Sequence, residues 1–345
     1  MKLRLLPFAL TTVVAVPGMA VASGPTLYGK MNVTYEMVED ETTFSSLPSG
    51  AFSEPVNVDQ WELNSNASRI GVKGSEAVTD NLNVIYQAEY GIDVDDSGSS
   101  PFSQRDIFVG LQGGWGTFKV GKFDSALKSS QGKVDQFNDM QFGDISNVIA
   151  GDNRVGNLLQ YSTPAIAEAI TINIGFQPGE DAENNGDDGP ADNFSVSLVF
   201  STDAFYAAIA QDDGINGVDA TRLTGQLMLG AFEVGAIYSM AEDSEDADAF
   251  DQTGFILSGG LKLGESGKLR AQYGMSEDDA NEGEITQYGF GYDHSLSKQT
   301  KLFVNYIYIE EEEEGTFDFG GLVGEVGALA ETEGSTLQFG IEHKF

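Results

Sequence analysis

The side chains of this sequence that could do chemistry are amines, guanidinium groups and carboxylates. The chain has no Cys, which excludes disulfide scaffolds, thiolate zinc sites and cysteine nucleophiles. Its two His, His294 and His343, leave little material for a metal centre or a Ser–His pair. The stretch Gly264-Glu-Ser-Gly-Lys268 lacks the first Gly and the Ser or Thr of a phosphate-binding loop and favours a tight turn. We therefore predict no enzyme, no cofactor and no metal site.

The bases are concentrated in one window of the chain. Eight of the 16 Lys and Arg that follow residue 22 lie within residues 61–154. Arg69 and Lys73 alternate with apolar neighbours, so both are predicted to point to the polar face of a strand, and Lys119 does likewise. The predicted basic wall consists of Arg69, Lys73, Arg105, Lys119, Lys122 and Arg154.

A long acidic segment, residues 123–154, closes this basic window. It carries Asp124, Asp135, Asp139 and Asp144. If the segment folds inside a wall that bears the bases, the two sets of charges create a transverse field across a narrow aqueous throat. The alternative is that the bases are ordinary lumen-facing charges with no special pairing.

The elements that must position these charges are strands, because apolar residues recur at every second position. In the last segment Leu337, Phe339 and Ile341 interleave with Gln338 and Glu342. About sixteen such segments follow residue 22, and an even number is what a closed antiparallel barrel needs. They are predicted at 25–37, 59–74, 81–92, 105–113, 116–122, 155–163, 168–177, 193–202, 204–211, 221–229, 231–240, 252–263, 268–276, 285–294, 300–310 and 335–345.

The connections between these segments alternate in length. Short ones follow long polar ones at 39–57, 123–154, 178–192, 241–251 and 311–334. Short turns on one rim and long loops on the other are typical of an outer-membrane barrel. A soluble sandwich also alternates, but it has no reason to sort its connections in this way, and aromatic residues lie at the strand ends, as membrane interfaces require. The pattern predicts an all-β, 16-stranded antiparallel transmembrane β-barrel spanning residues 23–345.

Residues 1–22 have the features of a signal peptide. Lys2 and Arg4 precede an apolar stretch, and Ala20-Val21-Ala22 offers a small-x-small cleavage site. The 323 residues that follow carry 16 basic and 54 acidic residues, a net charge of −38. Such an excess of acids excludes a protein held to nucleic acid by its overall charge.

The acids accumulate in the predicted outer loops, including the run of five Glu at 310–314. Solvation of the loops accounts for most of this pattern. A second interpretation is that divalent cations bridge the carboxylates to the phosphates of lipopolysaccharide, because like charges at that surface would otherwise repel one another. Lipopolysaccharide and outer-membrane lipid are therefore predicted partners.

Several stretches together resemble the general diffusion porins of Gram-negative bacteria. The stretches Gly121-Lys-Phe-Asp-Ser-Ala-Leu-Lys128, Gly132-Lys-Val-Asp-Gln-Phe137, Phe142-Gly-Asp-Ile145 and Gly151-Asp-Asn-Arg154 are similar to the third loop of that family. Asn66-Ala-Ser-Arg-Ile-Gly-Val-Lys-Gly74 resembles its second strand, and Leu27-Tyr-Gly-Lys30 its first. The terminal Phe345 resembles its outer-membrane assembly signal.

This resemblance implies an inward-folded third loop, a constriction where that loop faces an Arg and Lys ladder, and a homotrimer. Two positions depart from the family pattern. Ala126 stands where the family often has Pro, and Gln160 stands where a second Arg is common on the sixth strand, so the basic ladder is expected to be thinner and anion attraction weaker. Loop 39–57, with Leu47 and Phe52, is apolar enough for a contact with a neighbouring subunit.

The sequence therefore predicts a passive outer-membrane pore for small hydrophilic solutes and ions, with a mild preference for cations. The preference is expected because the acidic mouth outweighs the basic throat, most strongly in dilute salt. The alternative is a substrate-preferring channel for a particular anion or sugar, and nothing in the sequence identifies such a ligand. An adhesin or autotransporter barrel is disfavoured.

Overall fold

The computed structural model describes residues 23–45, 56–95, 100–179, 189–247, 249–318 and 325–345. The predicted signal peptide and most of the apolar part of loop 39–57, including Leu47 and Phe52, lie outside these residues. Among the described residues, no helix is long and apolar enough to cross a membrane. The strands are β1 Ser23–Ser45, β2 Val56–Ser65, β3 Arg69–Thr79, β4 Leu82–Ile92, β5 Phe102–Gly113, β6 Gly116–Asp124, β7 Arg154–Ser162, β8 Ile170–Gln177, β9 Asn193–Ser201, β10 Phe205–Ile215, β11 Val218–Leu229, β12 Phe232–Asp243, β13 Asp251–Leu263, β14 Gly267–Asp278, β15 Gly283–Ser295, β16 Thr300–Asp318 and β17 Glu325–Lys344.

The strands form one antiparallel sheet that closes on itself, because β1 pairs with β17. Both β2 and β3 pair with β1, so they are two halves of one barrel strand, broken at residues 66–68, where Ala67 has a φ of 46°. The described residues thus form sixteen barrel strands, and the predicted number is confirmed. At the seam, the main-chain N–H of Gly29 donates to the carbonyl of Phe345, and that of Phe345 donates to Gly29.

The two faces of the wall differ as the alternation predicts. On β11, Leu223 and Leu227 are exposed on the outer face, while Arg222, Thr224 and Gln226 are buried on the inner face. In a bilayer the outer residues face lipid, where every backbone group must be satisfied within the sheet. Closure of the barrel satisfies them and leaves no free edge at β1 or β17 over the paired stretch.

Three neighbouring strands are much longer than the segments predicted for them. β1, β16 and β17 contain 23, 19 and 20 residues, whereas crossing a bilayer takes about 9–11 residues. The run 310–314, which we predicted as part of a loop, lies in β16, and Glu310 is directly opposite Glu333. The loop prediction was wrong there because a strand that projects beyond the bilayer is solvated and can carry carboxylates.

Candidate functional site: the pore constriction

The connection between β6 and β7, residues 125–153 and hereafter loop three, lies inside the barrel. Its apolar side chains pack against the inner faces of β10–β16 in three clusters. Leu127 packs with three alanines of β10, β11 and β12, and Phe137 packs with Phe303 and Ile307 of β16. The largest cluster joins the loop to two wall isoleucines, and its members are Val134, Ile145, Val148, Ile149, Ile237 and Ile256.

Glycines on the inner wall make room for these loop side chains. A Cβ at Gly235 would come within 2.8 Å of Val134, and one at Gly289 within 2.8 Å of Phe137. A Cβ at Gly274 would meet Val148 at 3.2 Å, and one at Gly254 would come still closer to Ile149. A larger residue at these inward-facing positions would therefore push the loop away from the wall.

Polar groups of the same wall fix the backbone of loop three. Gln272 accepts a hydrogen bond from the N–H of Gln136 at 2.9 Å and donates to the carbonyl of Gly143 at 2.9 Å. Arg222 donates to the carbonyl of Ala150 at 2.9 Å, and Arg270 donates to that of Gln136. Since an unpaired buried carbonyl costs about 1–3 kcal/mol, these bonds select one position of the loop.

The first turn of the loop is fixed in a similar way. Ser125 caps the short helix α1, Ala126–Ser129, by accepting from the N–H of Lys128 at 3.0 Å. The N–H of Ala126 donates at 2.8 Å to Ser195, which in turn donates to the buried Asp212 of β10. A second short element, a 3₁₀ turn at Ile145–Asn147, is capped by Asp144.

The other face of loop three borders an open cavity of about 650 Å³ against β1–β7 and the chain end. Its lining contains six bases and six acids. The bases are Lys30, Arg69, Arg105, Lys128, Arg154 and Lys344. The acids are Glu89, Asp106, Asp124, Asp139, Asp144 and Asp152.

Most of these charges are paired, and some of the pairs join the wall to the loop. Lys30 of β1 bonds Asp139 of loop three at 2.8 Å. Arg154 joins Asp106 at 2.7 Å and Asp124 at 2.9 Å. Arg105 bonds Glu89 at 2.8 Å, and Lys128 bonds Asp152 at 2.9 Å. Among the described residues, Arg69 is the lining base that makes no ion pair within 4 Å.

Two loop carboxylates have opposite environments. Burial raises the pKa of Asp139, but the attraction of Lys30, with Arg69 and Arg105 behind it, outweighs burial and leaves the pKa lowered. Burial, with repulsion from Asp144, raises the pKa of Asp135 well above its usual range, although the N–H groups of Phe137 and Ile145 bond the carboxylate. Asp139 thus stays charged at neutral pH, whereas Asp135 holds the loop together.

The structure brings six of the ten predicted constriction residues to the cavity and places four elsewhere. Arg69, Arg105, Arg154, Asp124, Asp139 and Asp144 line it. Lys73 lies over the ring of Tyr28 at 4.7 Å, and Lys119 over that of Phe123 at 3.7 Å. Lys122 is half-buried on β6, and Asp135 is half-buried within the loop, where the N–H of Phe137 bonds its carboxylate. Phe345 lies at the seam, with its ring against Gly29.

The lining also contains charges that were not predicted as site residues. Lys30 has the inward parity of Asn32 and Thr34 on β1, so alternation alone could have identified it. Asp106, which was not predicted, directly follows the predicted Arg105, yet both line the cavity, because the β4–β5 ladder shifts register between Ala88 and Tyr90. A strict period of two cannot predict that pair.

Comparison with known proteins agrees with this geometry. A family model described as Gram-negative porin matches residues 9–314. The chain belongs to this porin family. It is an outer-membrane β-barrel protein and not an enzyme, as predicted.

Relatives within the porin family cover most of the chain at low identity. The major outer membrane protein P.IB of Neisseria sicca is 25% identical over 91% of this chain and 96% of its own length. Outer membrane porin protein 32 of Delftia acidovorans is 24% identical over 81% of this chain and 85% of its own. The solved anion-selective porin of Comamonas acidovorans has 21% identity and a TM-score of 0.72, covering 93% of this chain and 99% of its own.

Proposed function

We propose that the protein forms a water-filled channel for passive diffusion of small hydrophilic solutes and ions, with a weak preference for cations. The observation that carries this proposal is the open, charge-lined cavity between loop three and the wall. A volume of about 650 Å³ corresponds to roughly twenty water molecules at about 30 Å³ each. Ions and small solutes can share such a space with water, whereas folded proteins cannot enter it.

The weak preference follows from the balance of charge along the path. The six bases and six acids of the cavity compensate one another, so the throat favours neither sign strongly. The chain without residues 1–22 carries −38, and the excess lies outside the throat. Charges at the mouth act over about 8 Å in physiological salt, so they raise the local cation concentration and lose that effect in concentrated salt.

An anion channel is the second candidate, and two observations favour it. One solved relative is named an anion-selective porin. Arg69 also lines the cavity without an ion pair among the described residues, so it offers a base to a passing anion. The zero-current potential across a tenfold KCl gradient distinguishes the two candidates. Cation preference at low mean salt, weakening as salt rises, supports our proposal, and anion preference at low salt refutes it.

We also propose that the channel is a homotrimer. A structure of OmpT from Vibrio cholerae, named as a trimer form, shares the fold with a TM-score of 0.57 at 16% identity. Sedimentation of the protein in mild detergent tests the assembly, and a monomer under those conditions refutes it. Bridging of acids to lipopolysaccharide by divalent cations stays a prediction. Among the described residues, Glu310, Glu312 and Glu331 could hold such a cation, because each offers a carboxylate oxygen within 4.8 Å of the others.

A further inference from the structure

The charges of this porin are sorted along the axis of the barrel. Among the described residues, seven segments at the end of the barrel with the long connections, hereafter the outer mouth, contain 28 of the 46 acids and no Lys or Arg. They begin or end at described strand ends that carry acids themselves, such as Glu242, Asp251 and Glu277. These segments are the described parts of 39–59, 93–101, 178–192, 213–219, 242–251, 277–284 and 310–333.

All 16 bases of the chain after residue 22 lie at the level of loop three or beyond it towards the short turns. Ten of them line the cavity, belong to loop three or bond it, namely Lys30, Arg69, Arg105, Lys128, Lys133, Arg154, Arg222, Lys268, Arg270 and Lys344. The other six lie on strands or turns between loop three and the short-turn end, namely Lys73, Lys119, Lys122, Lys262, Lys298 and Lys301.

Some of the acids towards the short-turn end are paired with these bases. Lys344 bonds Glu342 at 3.0 Å, and Lys301 bonds Asp293 at 3.2 Å. Arg270 bonds the same Asp293 at 2.8 Å. An ion crossing the barrel therefore passes through two zones in series, a strongly negative mouth and a throat and inner vestibule in which the two signs are mixed.

We propose that this channel is an ionic rectifier in dilute salt, with a larger current when the outer side is positive. The inference rests on the proposed pore function and adds that the size of the current depends on the polarity of the voltage. A negative mouth admits cations and opposes anions. When the outer side is positive, cations enter through the mouth while anions driven outward are held back there, so both ions accumulate in the throat and conductance rises. The opposite voltage drains both ions from the throat, and conductance falls.

The dimensions of the barrel set the salt range of the effect. Sixteen strands spaced about 4.8 Å apart and tilted by about 40° enclose a cylinder roughly 30 Å across. The Debye length is about 30 Å at 0.01 M salt and about 3 Å at 1 M. The field of the mouth therefore spans its whole opening in dilute electrolyte and only its rim in concentrated electrolyte. We expect a current ratio of about 2 between the two polarities at 0.01 M KCl and about 1 at 1 M.

The test measures single-channel current at equal positive and negative voltages in symmetric KCl. Orientation is fixed with the variant Ser297→Cys, in an exposed short turn of this Cys-free chain, coupled to biotin. Streptavidin is too large to cross the pore, so it alters the current only from the chamber that faces the short turns. Acidifying only the outer chamber to about pH 3, below the usual carboxyl pKa, is expected to abolish the asymmetry. Acidifying only the other chamber is expected to preserve it.

A matched pair of variants locates the charges responsible. The mouth variant neutralises five exposed acids, Glu242→Gln, Glu245→Gln, Asp251→Asn, Glu277→Gln and Asp279→Asn. The control neutralises five exposed acids at the short-turn end, Glu76→Gln, Asp80→Asn, Glu168→Gln, Asp203→Asn and Glu265→Gln. The mouth variant is expected to lower the ratio, and the control to leave it or raise it.

The outcomes separate this inference from the proposed function. A ratio of 1 at 0.01 M KCl, a larger current with the outer side negative, or equal effects of the two variants overturns the rectifier while the pore remains. Absence of any single-channel current from folded protein overturns the pore itself.

Discussion

The two halves of the lumen are built on the same alternation of strand residues, but one half is packed with apolar side chains and the other is lined by charges. Along β10–β16 the inner wall presents glycines, alanines and isoleucines, and loop three fills that half with apolar contacts. Along β1–β7 it presents paired charges around an open cavity. The difference shows that the throat is narrow because half of the lumen is a packed core, which holds the loop more rigidly than ion pairs alone could.

The largest effect is expected from breaking the packed half. Gly235→Leu with Gly289→Leu places side chains where Val134 and Phe137 now lie, and such overpacking costs about 1–3 kcal/mol at each site. We expect the loop to leave the wall and single-channel conductance to change by about twofold as the throat is remodelled. Gly225→Leu is the control, because nothing lies within 4 Å of that position on the outer face. An unchanged conductance in a folded double variant would contradict this view of the loop.

The next effect comes from the charged half. Lys30→Met leaves Asp139 uncompensated and should strengthen cation preference, whereas Asp139→Asn leaves Lys30 uncompensated and should weaken it. Each change should move the zero-current potential in dilute KCl in the stated direction, and the double variant should return close to the parent. Neutralising Arg69 and Arg154 should also strengthen cation preference. If Lys30→Met and Asp139→Asn shift the zero-current potential in the same direction, the pair does not act on ions in transit.

Asp135 sharpens the comparison, because it lies on the loop but belongs to the packed half. Asp135→Asn removes a carboxylate that is bonded within the loop and does not line the cavity, so it should change the zero-current potential less than Asp139→Asn does. If the two variants shift the potential equally, net charge rather than position controls selectivity.

The pH dependence of stability gives a further and smaller effect. The pKa of Asp135 is raised in the folded protein, so the folded state binds this proton more tightly than the unfolded state. Its contribution to the free energy of unfolding therefore grows as pH falls through the folded pKa towards the usual carboxyl value, and then levels off. Thermal unfolding of the parent, compared with Asp135→Asn across that range, measures this contribution. A parent-to-variant difference that does not depend on pH would contradict the raised pKa.

The smallest effect is expected at Lys73, which lies over the ring of Tyr28 and does not line the cavity. Lys73→Gln should leave conductance and selectivity close to those of the parent. A shift as large as that of Lys30→Met would mean that the narrowest part of the path extends further along β3 than the cavity does.

Alternation predicted the wall well, because lipid on one side and water on the other impose a period of two on each strand. Leu223 and Thr224 illustrate the rule. It failed where that constraint ends: the glutamates at 310–314 continue β16 into water, and Asp135 lies in a loop whose side chains have no fixed parity. The wall surface that loop three packs against could have been predicted from the sequence, because four glycines lie at inward-facing positions of their strands. They are Gly235, Gly254, Gly274 and Gly289. Their partners on the loop could not be read from spacing.

The seam between β1 and β17 joins residues at opposite ends of the chain, with Lys30 beside Lys344 and Gly29 bonded to Phe345. Closing a loop of some 300 residues costs about 5 kcal/mol in chain entropy. That cost is recovered only when the final strand has arrived. The seam contacts therefore have a very large sequence separation, and a chain whose last strand is not yet available cannot close its barrel.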